Sequence, residues 1–328
     1  MIDAILRWPI EAVTSLVLSL GVLGGALLGL VAIRLVRPIL EAPVFRRKNY
    51  RGADVGVGSG LVIVVVGLVL AVTSSIAGWL VFGDRLPVSM QTAYWDTFFR
   101  TLSSVGFPVL IFSFLGLVDD LGATGEARGF RGHLATLRTG RLSTGAFKLF
   151  GGGAVALALA ASSPTRGDGG FGWLLVNGAI IALAANLANL FDRAPGRCLK
   201  VGLVCSVALL AGMVVGMSQY LYARAFRPTL AVAVLAGVLV VMLRDDLRER
   251  TMLGDTGANP IGAMLGVGVL VAPQSVRIGV LTALVILNLA SERVSFTRII
   301  DGFAPLRWFD RLATLPERRA GGDSRVGS

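Results

Sequence analysis

Three short runs carry residues able to do chemistry: Leu117-Val118-Asp119-Asp120, Asn186-Leu187-Ala188-Asn189-Leu190-Phe191-Asp192, and Leu253-Gly254-Asp255-Thr256-Gly257. In each, a carboxylate stands where a long apolar segment meets a loop. Carboxylates are costly in or beside hydrocarbon, so this placement points to a task. A carboxylate pair joined by another from a distant loop suits Mg²⁺. That ion takes oxygen ligands, keeps several waters and often bridges one or two carboxylates to substrate phosphates. In phosphoryl transfer it neutralises phosphate charge and aligns the attacking and leaving oxygens. Lys148, Arg193, Arg197 and Lys200 stand nearby to hold the remaining phosphate charge. Gly254 and Gly257 allow close backbone approach at Asp255, and a helix beginning near Thr256 would offer its amide dipoles to an anion.

Each run has a plainer reading. An Asp-Asp pair at a helix end is often only the start of a loop. Asn186 and Asn189 can bond between helices, Asp255 can cap one, and Lys148 can snorkel. Arg244-Asp245-Asp246-Leu247-Arg248-Glu249-Arg250 reads as a solvated charged loop. The conjunction of three runs is stronger than any one of them, provided that all three segment ends lie on one side of a membrane.

Composition makes a membrane the expected setting. The 328 residues are 54% hydrophobic and 16% charged, with a mean hydropathy of +0.74, whereas soluble domains carry about 25% charged residues. The expected fold is an all-α polytopic membrane protein. Nine apolar segments are long enough, or nearly so, to span the ~30 Å of hydrocarbon: roughly 12–33, 60–82, 101–118, 147–162, 171–190, 200–218, 228–243, 257–272 and 276–291. Residues 1–291 form one transmembrane domain, and 292–328 a basic tail with an interfacial helix followed by disorder from Gly321. No cleavable signal peptide is evident. Many of the 42 glycines read as helix-packing positions. Cys198 and Cys205 make neither a disulfide framework nor a metal spacing.

Charge orients the chain. Placing the loop 34–58 in the cytoplasm puts 24 of the 31 Lys and Arg on that side and 7 on the other. This is the asymmetry of the positive-inside rule, with the N-terminus outside and the C-terminus cytoplasmic. It also explains the net charge of +11 without nucleic acid as a partner. Asp119, Asp120, Asp192 and Asp255 then all fall on the cytoplasmic side, a result not used in deriving the topology. Tyr94-Trp95 and Phe98-Phe99 read as an interfacial aromatic belt, and 163–170 as an external turn.

In this order, with two spans between each, the three motifs resemble the polyprenyl-phosphate N-acetylhexosamine-1-phosphate transferases, which include the phospho-N-acetylmuramoyl-pentapeptide transferase of peptidoglycan synthesis. The matching pieces are Val118-Asp119-Asp120, then Asn186-x-x-Asn189-x-x-Asp192, then Leu253 to Asn259 with Gly262. Asn49-Tyr50-Arg51-Gly52 and Ser291 to Phe296 also resemble family segments. The resemblance covers about residues 46–300. It implies a multi-pass protein of the cell membrane, with Mg²⁺ as cofactor and with undecaprenyl phosphate and a UDP-amino sugar as substrates. The products would be a lipid-diphosphate sugar and UMP. Asp255 would ligate Mg²⁺. Asp119 and Asp120 would orient or deprotonate the lipid phosphate, with Asp120 assisting at the metal. Asp192 and Asn189 would hold the nucleotide sugar, Lys148 would contact phosphate, and Asn186, Arg193, Arg197 and Asn259 would complete the substrate contacts.

The chain departs from the family pattern in two places. Pro195 stands where many members carry a second Asp, and the family's histidine-rich loop is absent, since the one histidine, His133, lies in a different loop. The departures keep an inactive relative that binds lipid-linked sugars as an alternative. A transporter of an anionic solute is a further alternative, disfavoured because ionisable residues sit at segment ends rather than mid-span. The sequence leaves a homodimer open.

Overall fold

The computed structural model describes residues 10–82, 106–122, 144–162, 170–216 and 219–319. Among the described residues, each of the nine apolar segments contains a helix: α1 (Ile10–Leu40), α2 (Leu61–Phe82), α3 (Phe107–Gly122), α4 (Thr144–Ser162), α5 (Phe171–Phe191), α6 (Arg197–Gly216), α7 (Gln219–Leu247), α8 (Asp255–Val269) and α9 (Gln274–Ser291). Five of them, α1, α4, α5, α6 and α9, are long and apolar enough to cross a membrane. Their outward faces are apolar: Leu20, Leu23 and Leu27 of α1 and Ile286 and Leu289 of α9 are all exposed. Contiguous exposed apolar surface of this kind fits a lipid surround rather than water. His133, the aromatic run 94–99, residues 163–169 and the last residues, 320–328, lie outside the described residues.

The bundle is built around α8. At 15 residues it is about 22 Å long, short of the hydrocarbon thickness. It has no need of that length, because every residue from Thr256 to Met264 is buried. Helices α3, α5, α6 and α7 sheathe it. Small residues allow this: a Cβ on Gly116 of α3 would overlap the backbone of Asp255, and one on Gly262 would overlap Ala184 of α5. Helix α1 packs along α7 on one flank, and α4 and α9 pack on α5 at the other.

A small sheet departs from the all-α expectation. β1 (Arg46–Lys48) pairs antiparallel with β2 (Asp54–Val57), Arg46 opposite Gly56, and β2 pairs in parallel with β3 (Thr251–Met252), Val57 opposite Met252. The sheet ties the loop after α1 to the loop after α7. The tail folds back to the same end as α10 (Phe296–Gly302), α11 (Ala304–Arg311) and α12 (Pro316–Arg319). The described parts of the loops grouped by charge alternation, linked by bonds from Arg47 to the Asp120 carbonyl, Lys148 to Asp255 and Arg197 to Asp310, meet at one end of the bundle.

Candidate active site

Asp120 lies in the last turn of α3, and its carboxylate caps α8. It accepts the Asp255 N–H at 3.0 Å, the Thr256 N–H at 2.9 Å and the Thr256 hydroxyl at 2.6 Å. The approach depends on Gly254, which sits at φ 68° and where a Cβ would stand 2.6 Å from Asp120 Oδ2. Asp120 thus aims the first turn of α8 and, with it, Asp255.

Asp255 is where the motifs converge. Lys148, in the first turns of α4, donates a close charged hydrogen bond to Asp255 Oδ2 and lies 3.7 Å from Asp119 Oδ2. Asn189 Nδ2 donates to the same Asp255 oxygen at 3.3 Å. The Asp119, Lys148 and Asp255 side chains keep 25, 18 and 19% of their surface, so the cluster opens to solvent. Asp192 follows α5 beside it. Desolvation, then the charges of Asp246, Asp255 and Asp120, push its carboxyl well above the usual carboxylate range. Burial, reinforced by crowded negative charge, is the electrostatic signature of the Asp192 position.

The donors suit a hard cation. One ammonium already bridges Asp119 and Asp255, so a positive charge is stabilised where a divalent ion would neutralise the same pair. Two carboxylates, with water and phosphate oxygens completing the shell, match the usual Mg²⁺ mode. Asp120 has both oxygens engaged and would contribute only through its remaining lone pairs. Among the described residues, no group of three His, Cys, Asp or Glu is preassembled to hold a metal.

Several expected substrate contacts are used otherwise. Asn186 donates to Asn288 of α9 at 2.7 Å, an interhelical bond away from the carboxylates. Arg197 is buried. It makes a two-pronged contact with Asp310 of the tail, at 2.7 and 3.0 Å, and a third bond to Thr297. Lys200 donates to the backbone carbonyls of Phe309, Asp310 and Leu312. Both cations are thus spent on the tail rather than on the site, because Asp310 supplies the compensating charge that burial demands. Arg193 is exposed next to Asp192. Asn259 is buried within α8, and neither atom of its amide has a hydrogen-bond partner among the described residues.

The charged run 244–250 is not a solvated loop. Asp246 is buried and accepts the Gly196 N–H at 2.5 Å and a backbone hydrogen bond from Leu253. It therefore joins the loop of Asp192 to the loop of Asp255. The sequence does carry a signal for this. Leu235, Val238, Leu239 and Met242 are buried at helical spacing, and Asp246 is the next position on that face. Glu249, at φ 53°, accepts from Asn49 Nδ2, Tyr50 Oη and Arg51 Nε at 2.8, 2.8 and 2.9 Å. Burial and this bond push the Tyr50 hydroxyl up to about 12.

An apolar cavity of about 330 Å³ lies between α5, α6, α8 and α9. Phe191 and Cys198 line it near the carboxylate end, and Ile180, Leu209 and Val269 line it deeper in the bundle. No family model matches the chain, and no curated protein matches it.

Proposed function

We propose that the protein transfers a sugar-1-phosphate from a UDP-amino sugar to undecaprenyl phosphate at the cytoplasmic face of the cell membrane, releasing UMP for cell-envelope glycan synthesis. The observation that carries this reading is the meeting of Asp119, Lys148, Asn189 and Asp255 at one end of an apolar bundle. The apolar cavity nearby suits the first part of a polyprenyl chain. On this reading α1 to α9 all cross the membrane, with the N-terminus outside.

In the reaction, an oxygen of the lipid phosphate attacks the β-phosphorus of the donor. The bond from that phosphorus to the bridging oxygen breaks, and UMP leaves with that oxygen and its charge. Asp119 orients the lipid phosphate and takes its proton when it carries one. Lys148 holds diphosphate charge. Asn189 and Asp192 hold the nucleotide sugar against the α5 end. Asp119 and Asp255 would hold Mg²⁺, which when bound neutralises charge on the transferring phosphoryl group. Asp120 acts by fixing the α8 turn that bears Asp255.

UMP release tests the reading. Purified protein receives undecaprenyl phosphate, Mg²⁺ and a panel of UDP-amino sugars, with Asp255→Asn as control. UMP from one donor, absent in the control and without Mg²⁺, is the expected result. An inactive lipid-linked sugar binder is the second reading, favoured by the engagement of Arg197 and Lys200 with the tail. Lipid binding with no UMP from any donor would decide for it.

A further inference from the structure

Helix α11 is amphipathic in the reverse sense from a helix docked on a water-soluble protein. Arg307, Asp310 and Arg311 share one face, at spacings of three and four residues. The centre of that face, Asp310, is turned inward, while Arg307 stays exposed at its edge. Asp310 is 4% exposed and held by Arg197 and Arg318, while Arg307 and Arg311 both bond to Asp301. The opposite face, Pro305, Trp308 and Leu312, is apolar, and Phe309 at its edge is half-buried with its ring 5.8 Å from Lys200 Nζ. Trp308 is 67% exposed and Leu312 44%, with Phe303 and Leu306 exposed alongside.

We infer that this face is immersed in the boundary between lipid headgroups and acyl chains, at the membrane face that carries the carboxylate cluster. Three observations commit the occupant to lipid. The polar face is fixed by buried ion pairs, so the helix cannot roll to hide its apolar side without breaking them. Exposed apolar residues recur along the chain from α9, at Leu289, Val294 and Ile299, to Phe303 and Trp308. Arg293 and Arg298, exposed on the same stretch, offer charge to anionic headgroups. A tryptophan facing outward at that level is the residue type that membrane interfaces favour. The lipid surface then braces the tail, and through Asp310 and Arg197 it braces the loop that follows Asp192.

The test places a spin label on α11. Cys205→Ala removes the exposed cysteine, and the buried Cys198 stays unlabelled. Trp308→Cys and, separately, Glu317→Cys are labelled in vesicles of phosphatidylcholine and phosphatidylglycerol. Leu312→Cys repeats the measurement should Trp308→Cys not fold. The label at 308 is expected to collide severalfold more with oxygen than with a water-soluble nickel chelate, at about 5–10 Å below the headgroups, and the label at 317 to do the reverse. Equal nickel access at both positions would overturn the inference. So would shielding from both reagents with dipolar broadening that disappears on dilution with unlabelled protein, since a second copy would then cover the face. The readout needs no turnover, so it stands or falls separately from the transferase reading.

Discussion

Asp120 Oδ2 accepts both the backbone N–H and the side-chain hydroxyl of Thr256, at 2.9 and 2.6 Å. This carboxylate is therefore a helix cap contributed by a different helix, and the negative charge meets the positive end of α8. Asp120→Asn keeps the shape and loses the charge and one acceptor. It should lower stability by about 1–2 kcal/mol and reduce turnover together with it. Thr256→Val, which removes only the hydroxyl bond, should cost about 1 kcal/mol. Thermal unfolding in detergent beside UMP release checks both. Unchanged unfolding with a lost response to Mg²⁺ would instead make Asp120 primarily a metal ligand.

The tail should detach in acid. Burial alone would raise the Asp310 carboxyl, but the Arg197 hydrogen bond and the charges of Arg197, Arg318 and Lys200 outweigh it and hold the group below its ordinary 3.8. A lowered folded value means the ionised carboxylate stabilises the docked tail above that ordinary value. The contribution fades as pH falls through the lowered one. Hydrogen exchange across 296–319 should thus stay slow at neutral pH and rise only below about 4. Asp310→Ala removes the carboxylate that Arg197 and Arg318 share and should free the tail at neutral pH, at a cost of about 3–5 kcal/mol.

The helices were legible because long apolar runs stand out in the local sequence. The expected 171–190 and 276–291 match Phe171–Phe191 and Gln274–Ser291 almost residue for residue. The meeting of Asp119, Lys148, Asn189 and Asp255 was legible for a related reason, since carboxylates at the ends of apolar segments are conspicuous. Charges with distant partners were not. Arg197 and Asp310 are 113 residues apart, and no local pattern distinguishes an arginine awaiting a phosphate from one already paired with the tail. Asn186 and Asn189 share a face of α5 yet find different partners, Asn288 of α9 for the first and, nearly a turn closer to the helix end, Asp255 for the second. The sheet escaped notice because its strands are too short to show alternation.

Glu249 organises the first loop. Replacing it with Ala removes the acceptor shared by Asn49, Tyr50 and Arg51 and should loosen the β1–β2 loop, at about 2–3 kcal/mol for bonds to a buried charge. The Tyr50 hydroxyl, held up to about 12 by burial and by Glu249, should then titrate closer to 10. Ultraviolet titration of the tyrosines in wild type and Glu249→Ala reads this directly. An unmoved titration curve would show that Glu249 does not set the Tyr50 environment.

On the transferase reading, Asp246 makes the most specific demand on the donor side. Its carboxylate holds Gly196, four residues after Asp192, and Leu253, two before Asp255. Asp246→Asn places an amide N–H where one of these backbone donors needs an acceptor, so one loop is released while helix α7 remains. If the Asp192 loop is the one released, KM for the UDP-sugar should rise severalfold with kcat nearly unchanged. Release at Leu253 would instead displace Asp255 and lower kcat. Steady-state UMP release separates the two outcomes, and unchanged values of both constants would show that the two loops hold their positions without Asp246.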